Sequence, residues 1–131
     1  MKTYTLDEMK KIYKARVTKL EDYMVQNDIG ACVFVDNESH RDPSLRYLTG
    51  HTSDACLVVF QDGYTVLLPW DEILAKKISV SSKMIPYTKY KNDEYEAVKK
   101  TIEKSPHLQG TKIEMPPYLT YPEFLKFLAA L

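Results

Sequence analysis

Leu45-Arg46-Tyr47-Leu48-Thr49-Gly50 precedes two apolar runs, Ala55–Phe60 and Tyr64–Leu68, and the reading of these pieces decides the fold. Gly50 closes the hexapeptide, and glycine readily takes the positive φ that stops a short helix. Asp62-Gly63 separates the two runs, and that dipeptide turns one strand back into the next. The stretch therefore predicts a short helix, a sharp stop and a buried β-hairpin.

Working toward the N-terminus, Asp42-Pro43 supplies an N-cap and a first helical residue for that short helix, which runs through Leu48. Before it lies a polar loop, Asp36-Asn37-Glu38-Ser39-His40-Arg41-Asp42, and before that Ala31–Val35, continuous and apolar as in a strand covered on both faces. Thr5-Leu6-Asp7-Glu8 has the form of a capping box. Leu6, Met9, Ile12 or Tyr13, Val17, Leu20 and Met24 then recur at three- and four-residue spacing, the stripe of an amphipathic helix about twenty residues long. Asn27-Asp28-Ile29-Gly30 ends it.

Toward the C-terminus, Pro69 breaks the second hairpin strand, and Trp70–Lys77 predicts a short helix with Ile73 and Leu74 inward. Val80–Tyr87 predicts a strand, with Pro86 near its end or on an edge. Asn92 or Asp93 opens a helix with Tyr95, Val98 and Ile102 on one face, stopped by Ser105-Pro106. Thr111–Met115 is a last short strand and Pro116-Pro117 a rigid link. Thr120-Tyr121-Pro122-Glu123 is a second capping box, followed by Phe124, Leu125, Phe127, Leu128 and Leu131. That helix has a start signal and no stop before Leu131, as expected of a domain taken from a longer protein, with a natural terminus at Leu131 as the alternative. The order of elements predicts one α/β domain over residues 1–131: three α/β/α layers around a mixed, mostly parallel sheet containing one hairpin.

Composition narrows the function. Lys+Arg and Asp+Glu both number 18, so no global field favours nucleic acid or an anionic membrane. No run approaches the roughly 18 apolar residues of a membrane span, and the lysine-dotted stretch Met1–Lys14 lacks the apolar segment of a signal peptide. Cys32 and Cys56 each lie in an apolar run and read as reduced core thiols. A cytoplasmic location is the expectation.

Signals for chemistry are sparse. His40, His51 and His107 are far apart and no His-Glu-x-x-His occurs. The pairs Asp7-Glu8, Asp71-Glu72 and Asp93-Glu94 stand near helix starts, where acids favour the dipole. His51, Ser53 and Asp54 suggest a hydrolase triad, yet neighbours on an extended segment alternate faces and no Gly-x-Ser-x-Gly elbow presents the serine. Four scattered glycines exclude a dinucleotide fingerprint or a phosphate loop. The loop Asp36–Asp42, with Arg46 beyond it, follows the carboxyl end of the first strand, where open α/β sheets place ligand-binding groups. His40 and Arg41 offer a proton donor or a clamp for a carboxylate; the blander alternative is a solvated loop that caps the short helix.

Several of these features together resemble the amino-terminal domain of the creatinase/prolidase/aminopeptidase P family. They are the opening helix with Arg16, Leu20 and Met24, the Asp28-Ile29-Gly30-Ala31 entry to the first strand, the Tyr47-Leu48-Thr49-Gly50 box, the hairpin through Asp62-Gly63, and the strand and helix after Gly110. The resemblance implies a mixed-sheet domain with a ribonuclease H-like arrangement, normally followed by a pita-bread catalytic domain. That second domain would hold two divalent ions (Mn, Co or Zn) and cleave peptide bonds next to proline. Its ligands have no counterpart here, so no metal-binding or catalytic residue is carried over. The resemblance further implies a homodimer, contact with the chain's own catalytic domain, and a loop lent to substrate access; Asp36, Glu38, His40 and Arg41 match that loop by position. His51 stands where relatives often have an aromatic residue. The function expected is therefore the non-catalytic N-terminal domain of an Xaa-Pro dipeptidase or aminopeptidase; the alternative is a protein-binding module from a non-enzymatic relative.

Overall fold

The computed structural model describes residues 3–90, 93–103, 105–110 and 112–130. Met1, the alternative helix start Asn92, the strand residue Thr111 and the apolar Leu131 lie outside the described residues.

Helix α1 spans Leu6–Gln26, and its capping box forms as expected: Glu8 N–H donates to Thr5 Oγ1 at 3.2 Å and Thr5 N–H to Glu8 Oε1 at 3.3 Å. Val17 and Met24 are buried, but Leu6 stays 60% exposed, so the stripe begins one turn later than its spacing suggests. Strand β1 follows at Ile29–Asp36, eight residues of which seven are buried.

Helix α2 covers Pro43–Thr49 and ends on Gly50 at φ 82°, whose N–H reaches Arg46 O at 2.8 Å. Strands β2 (Ala55–Phe60) and β3 (Thr65–Pro69) form the expected hairpin, with Gly63 at φ 89° in its turn. Helix α3 spans Glu72–Ile78 and is N-capped by Asp71. Its buried residue is Ala75, and Ile73 is 71% exposed, not inward. At about 100° per residue, Ile73 lies nearly opposite Ala75 around the helix.

The expected strand Val80–Tyr87 shrinks to β4, Lys83–Met84, and a 3₁₀ turn follows at Tyr87–Tyr90. Val80 N–H goes to Thr49 O at 2.8 Å and Ser82 N–H to Thr65 Oγ1 at 2.8 Å, so the first half of the segment has its donors occupied elsewhere. Pro86 then offers no N–H to extend the ladder. Helix α4 is Glu94–Glu103, strand β5 Lys112–Glu114 and helix α5 Tyr121–Ala130. Asp93 Oδ1 accepts from Tyr95 and Glu96 N–H at the start of α4, and Thr120 and Glu123 close the second capping box.

The five strands lie in the order β4-β3-β2-β1-β5. The sheet is mixed, as expected, but not mostly parallel: β1–β2 and β2–β3 are antiparallel, and only the short edge pairs β3–β4 and β1–β5 are parallel. The cause is α2. Seven residues of helix travel about 10 Å, too little to carry the chain back along β1, so it re-enters the sheet at the end it left.

Side chains of β1–β3 alternate between two cores, which makes three layers. Ala31, Val33, Val35, Cys56, Val58, Phe60, Val66 and Leu68 pack with Ala97, Val98 and Ile102 of α4 and Phe127 of α5. Cys32, Leu57, Val59 and Leu67 pack on the opposite face with Val17 and Met24 of α1, Leu45 and Leu48 of α2, and Ala75 of α3. Both cysteines are free and buried, and burial pushes the Cys32 thiol up to about 12, helped by Glu114.

Candidate functional site

The loop that leaves β1 is tightly built. Asn37 Oδ1 accepts the Ser39 N–H at 2.9 Å and the His40 N–H at 3.0 Å, a side-chain-closed turn that brings residues 41 and 42 back over the strand end. Asp36 is only 6% exposed; its Oδ1 accepts the Asp42 N–H at 2.9 Å and its Oδ2 lies 3.4 Å from Arg41 Nη1. Arg41 Nη2 reaches Asp54 Oδ1 at 2.8 Å, just before β2. Burial works against the guanidinium charge, but Asp36 and Asp54 outweigh it and hold its proton more tightly than usual.

Asp42, also buried, caps α2 by accepting the Ser44 N–H at 2.9 Å through Oδ1. Its Oδ2 accepts a hydrogen bond from the Tyr118 hydroxyl. That hydroxyl also approaches Val35 O at 2.7 Å and takes the Val35 N–H at 3.3 Å. The Tyr118 ring stacks on His40 at 4.3 Å between centroids. Burial and the adjacent Asp42 carboxylate push the Tyr118 phenol up, so it is a hydrogen-bond donor and not a base.

Of the four loop residues singled out by sequence, Asp36 and Arg41 therefore meet in one charged cluster and His40 rests on Tyr118. Glu38 is exposed at the loop tip, and Arg46 on the outer side of α2. Arg16, which carried part of the resemblance, ties α1 to α2: its Nη1 donates to Tyr47 O at 2.8 Å and its guanidinium covers the Tyr47 ring at 4.3 Å. Sequence reasoning missed Tyr118 and the Asp54 contact. Tyr118 is 76 residues from the aspartate it holds, and no local pattern joins them.

His51 is fully buried, its Nδ1 2.8 Å from Ser79 Oγ. Burial lowers its pKa despite the nearby carboxylate of Asp36. The ring is thus committed to Ser79, not to Ser53, and no triad forms.

The cluster does not suit a metal pair. Asp36 and Asp42 already accept backbone N–H groups, and Arg41 occupies the space between Asp36 and Asp54 with positive charge. Among the described residues no group of three or more His, Cys, Asp or Glu converges to hold an ion. None of the described helices is long and apolar enough to cross a membrane.

The family described as the Creatinase/Prolidase N-terminal domain matches residues 16–126. Among solved structures, the chain is similar to an Xaa-Pro aminopeptidase from Streptococcus pyogenes at 15% identity and a TM-score of 0.72, covering 92% of this chain and 86% of that one. It is similar to an aminopeptidase P from Streptococcus thermophilus at 14% identity and a TM-score of 0.71, covering 91% and 85%. It is also similar to the Creatinase/Prolidase N-terminal domain of an X-Pro dipeptidase from Streptococcus pyogenes at 19% identity and a TM-score of 0.65, covering 90% and 88%. No curated protein sequence matches the chain.

Proposed function

Because the chain belongs to the creatinase/prolidase N-terminal domain family, we propose that it is the non-catalytic N-terminal domain of a cytoplasmic, metal-dependent Xaa-Pro dipeptidase or aminopeptidase. In this reading it forms a homodimer, rests against its own catalytic domain and lends the loop Asp36–Asp42 to substrate access. The two divalent ions belong to that catalytic domain, since the carboxylates here are already committed to N–H donors and to Arg41.

The observation that carries the reading is the family match over residues 16–126. The loop supports the finer part. An exopeptidase must exclude long substrates and fix a charged terminus, which requires a loop held in one shape with polar groups at its tip. Here Asp36, Asp42 and Tyr118 fix the base, while Glu38, His40 and Arg41 are exposed.

Two measurements test it. The purified chain, supplied with Mn²⁺ or Co²⁺, should leave an X-Pro dipeptide intact; hydrolysis would overturn the non-catalytic assignment. Arg41→Ala and His40→Ala, made in the protein that carries the catalytic domain, should change KM for proline peptides more than they change thermal stability. An unaltered KM would remove the access role.

A further inference from the structure

A cleft of about 350 Å³ opens on the α4 side of the sheet, near the β2–β3 turn. Its apolar lining comes from Val66, a core residue, and from Ile85, Tyr64 and Tyr90, which pack partly buried against that core. Around it stand Lys83 from β4, Lys100 from α4, and Ser105 and His107 from the segment after α4. Among the described residues that line it there is no carboxylate.

Lys83, Lys100 and Ser105 bring hydrogen donors to this rim. Ser105 Oγ accepts the His107 N–H at 3.2 Å, which leaves its own O–H to give. His107 Nδ1 lies 2.6 Å from Asp62 Oδ2, and an ionised carboxylate only accepts, so Nδ1 carries a hydrogen and the ring keeps Nε2 for another partner. The ring is fixed further by stacking on Tyr64, 3.8 Å between centroids at an interplanar angle of 4°. Burial alone would raise Asp62, but the bonds from His107 and the Tyr64 N–H keep that carboxyl below its ordinary value. Among the described residues Lys100 is paired only with Glu96, at 3.8 Å across an exposed helix face, a contact that a bound anion can displace. Lys83 is exposed and has no ion pair among the described residues.

We propose that this cleft binds a small oxyanion, a carboxylate or a phosphate, carried on a flat apolar body. The body lies over Val66 and Ile85 between the tyrosine rings, and the anion meets Lys83, Lys100 and the Ser105 hydroxyl. His107, held by Asp62 and stacked on Tyr64, closes one side of the cleft. An apolar floor with a few convergent polar groups is the usual form of a small-molecule site, and the site lies outside the loop assigned to substrate access.

The test is an NMR titration of the ¹⁵N-labelled chain with phenyl phosphate, benzoate, inorganic phosphate and benzyl alcohol at matched ionic strength. At least one aryl anion should give saturable shifts at Tyr64, Tyr90, Ser105 and His107, with a Kd about tenfold or more below that of benzyl alcohol. The double variant Lys83→Gln/Lys100→Gln alters two exposed side chains and should raise that Kd about fivefold to tenfold. A response to phenyl phosphate alone assigns the ligand to phosphate esters, and a response to benzoate alone to carboxylates. Aryl anions no better than benzyl alcohol, inorganic phosphate as tight as phenyl phosphate, or a double variant with unchanged affinity would each overturn the proposal.

Discussion

Arg41 bridges Asp36 and Asp54, 3.4 Å from the first and 2.8 Å from the second, and so pins the end of β1 to the entry of β2. The two carboxylates are not equivalent. Asp36 is buried and also serves a buried backbone N–H, that of Asp42, whereas the Arg41 side chain is half-exposed. Arg41→Ala should therefore cost less than removal of Asp36 and be sensitive to salt. Asp36→Ala orphans the Asp42 N–H and should cost about 1–3 kcal/mol. Urea unfolding of both variants decides it; a larger loss for Arg41→Ala would mean the ion pair, not the buried acceptor, holds the loop.

Tyr118 is the second anchor of the same loop. Its single hydroxyl proton faces both Val35 O and Asp42 Oδ2, while its oxygen takes the Val35 N–H. Tyr118→Phe keeps the ring on His40 and deletes these bonds, so it should destabilise by about 1–2 kcal/mol. Amide exchange should quicken at Val35 and through residues 36–44, and stay unchanged in β3. Uniform acceleration across the sheet would show that the hydroxyl supports the whole fold and not the loop.

Gly50 and Gly63 share a positive φ but sit in different surroundings. A Cβ at Gly50 would stand 2.8 Å from Tyr13 Oη and 2.9 Å from Ile78 O, one of them rigid backbone. At Gly63 the obstacle is the carboxylate of Glu21, which can swing away. Gly50→Ala should cost about 2 kcal/mol or more, and Gly63→Ala about 1 kcal/mol, most of it left-handed backbone strain. Thermal melts that rank the pair the other way would remove Gly50 as the enforced stop of α2.

Much of this fold was legible because its signals are local. Thr5 with Glu8, Asp42 with Pro43, Gly50, Asp62-Gly63 and Thr120 with Glu123 each place a boundary through bonds spanning a few residues. What escaped depends on partners distant in sequence. The direction of β1 against β2 follows from the short reach of α2, which no strand pattern records. Ile73 turns outward because Ala75 packs close, a choice made by the layer above the sheet. At the loop, Asp36 and Arg41 were found by position alone, and their partners Asp54 and Tyr118 came only with the folded chain.

His51 makes the fold sensitive to acid. Its ring is fully buried, with Nδ1 on Ser79, so a second proton would place a charge in a site shut off from water. Burial depresses its pKa below the ordinary 6.5, and Asp36, Asp71 and Asp54 offset this only in part. The unfolded chain thus takes up the proton before the folded one. The resulting stability is fully present above the unfolded value near 6.5 and is lost as pH falls through the depressed folded value. Stability measured from pH 7.5 down to pH 5 should decline in the parent, and this part of the decline should vanish in His51→Phe and His51→Gln. Each variant is referred to its own stability at pH 7.5, so the cost of repacking cancels. An identical decline in all three proteins would place the acid-sensitive group elsewhere and show that His51 takes up its proton at the same pH in both states.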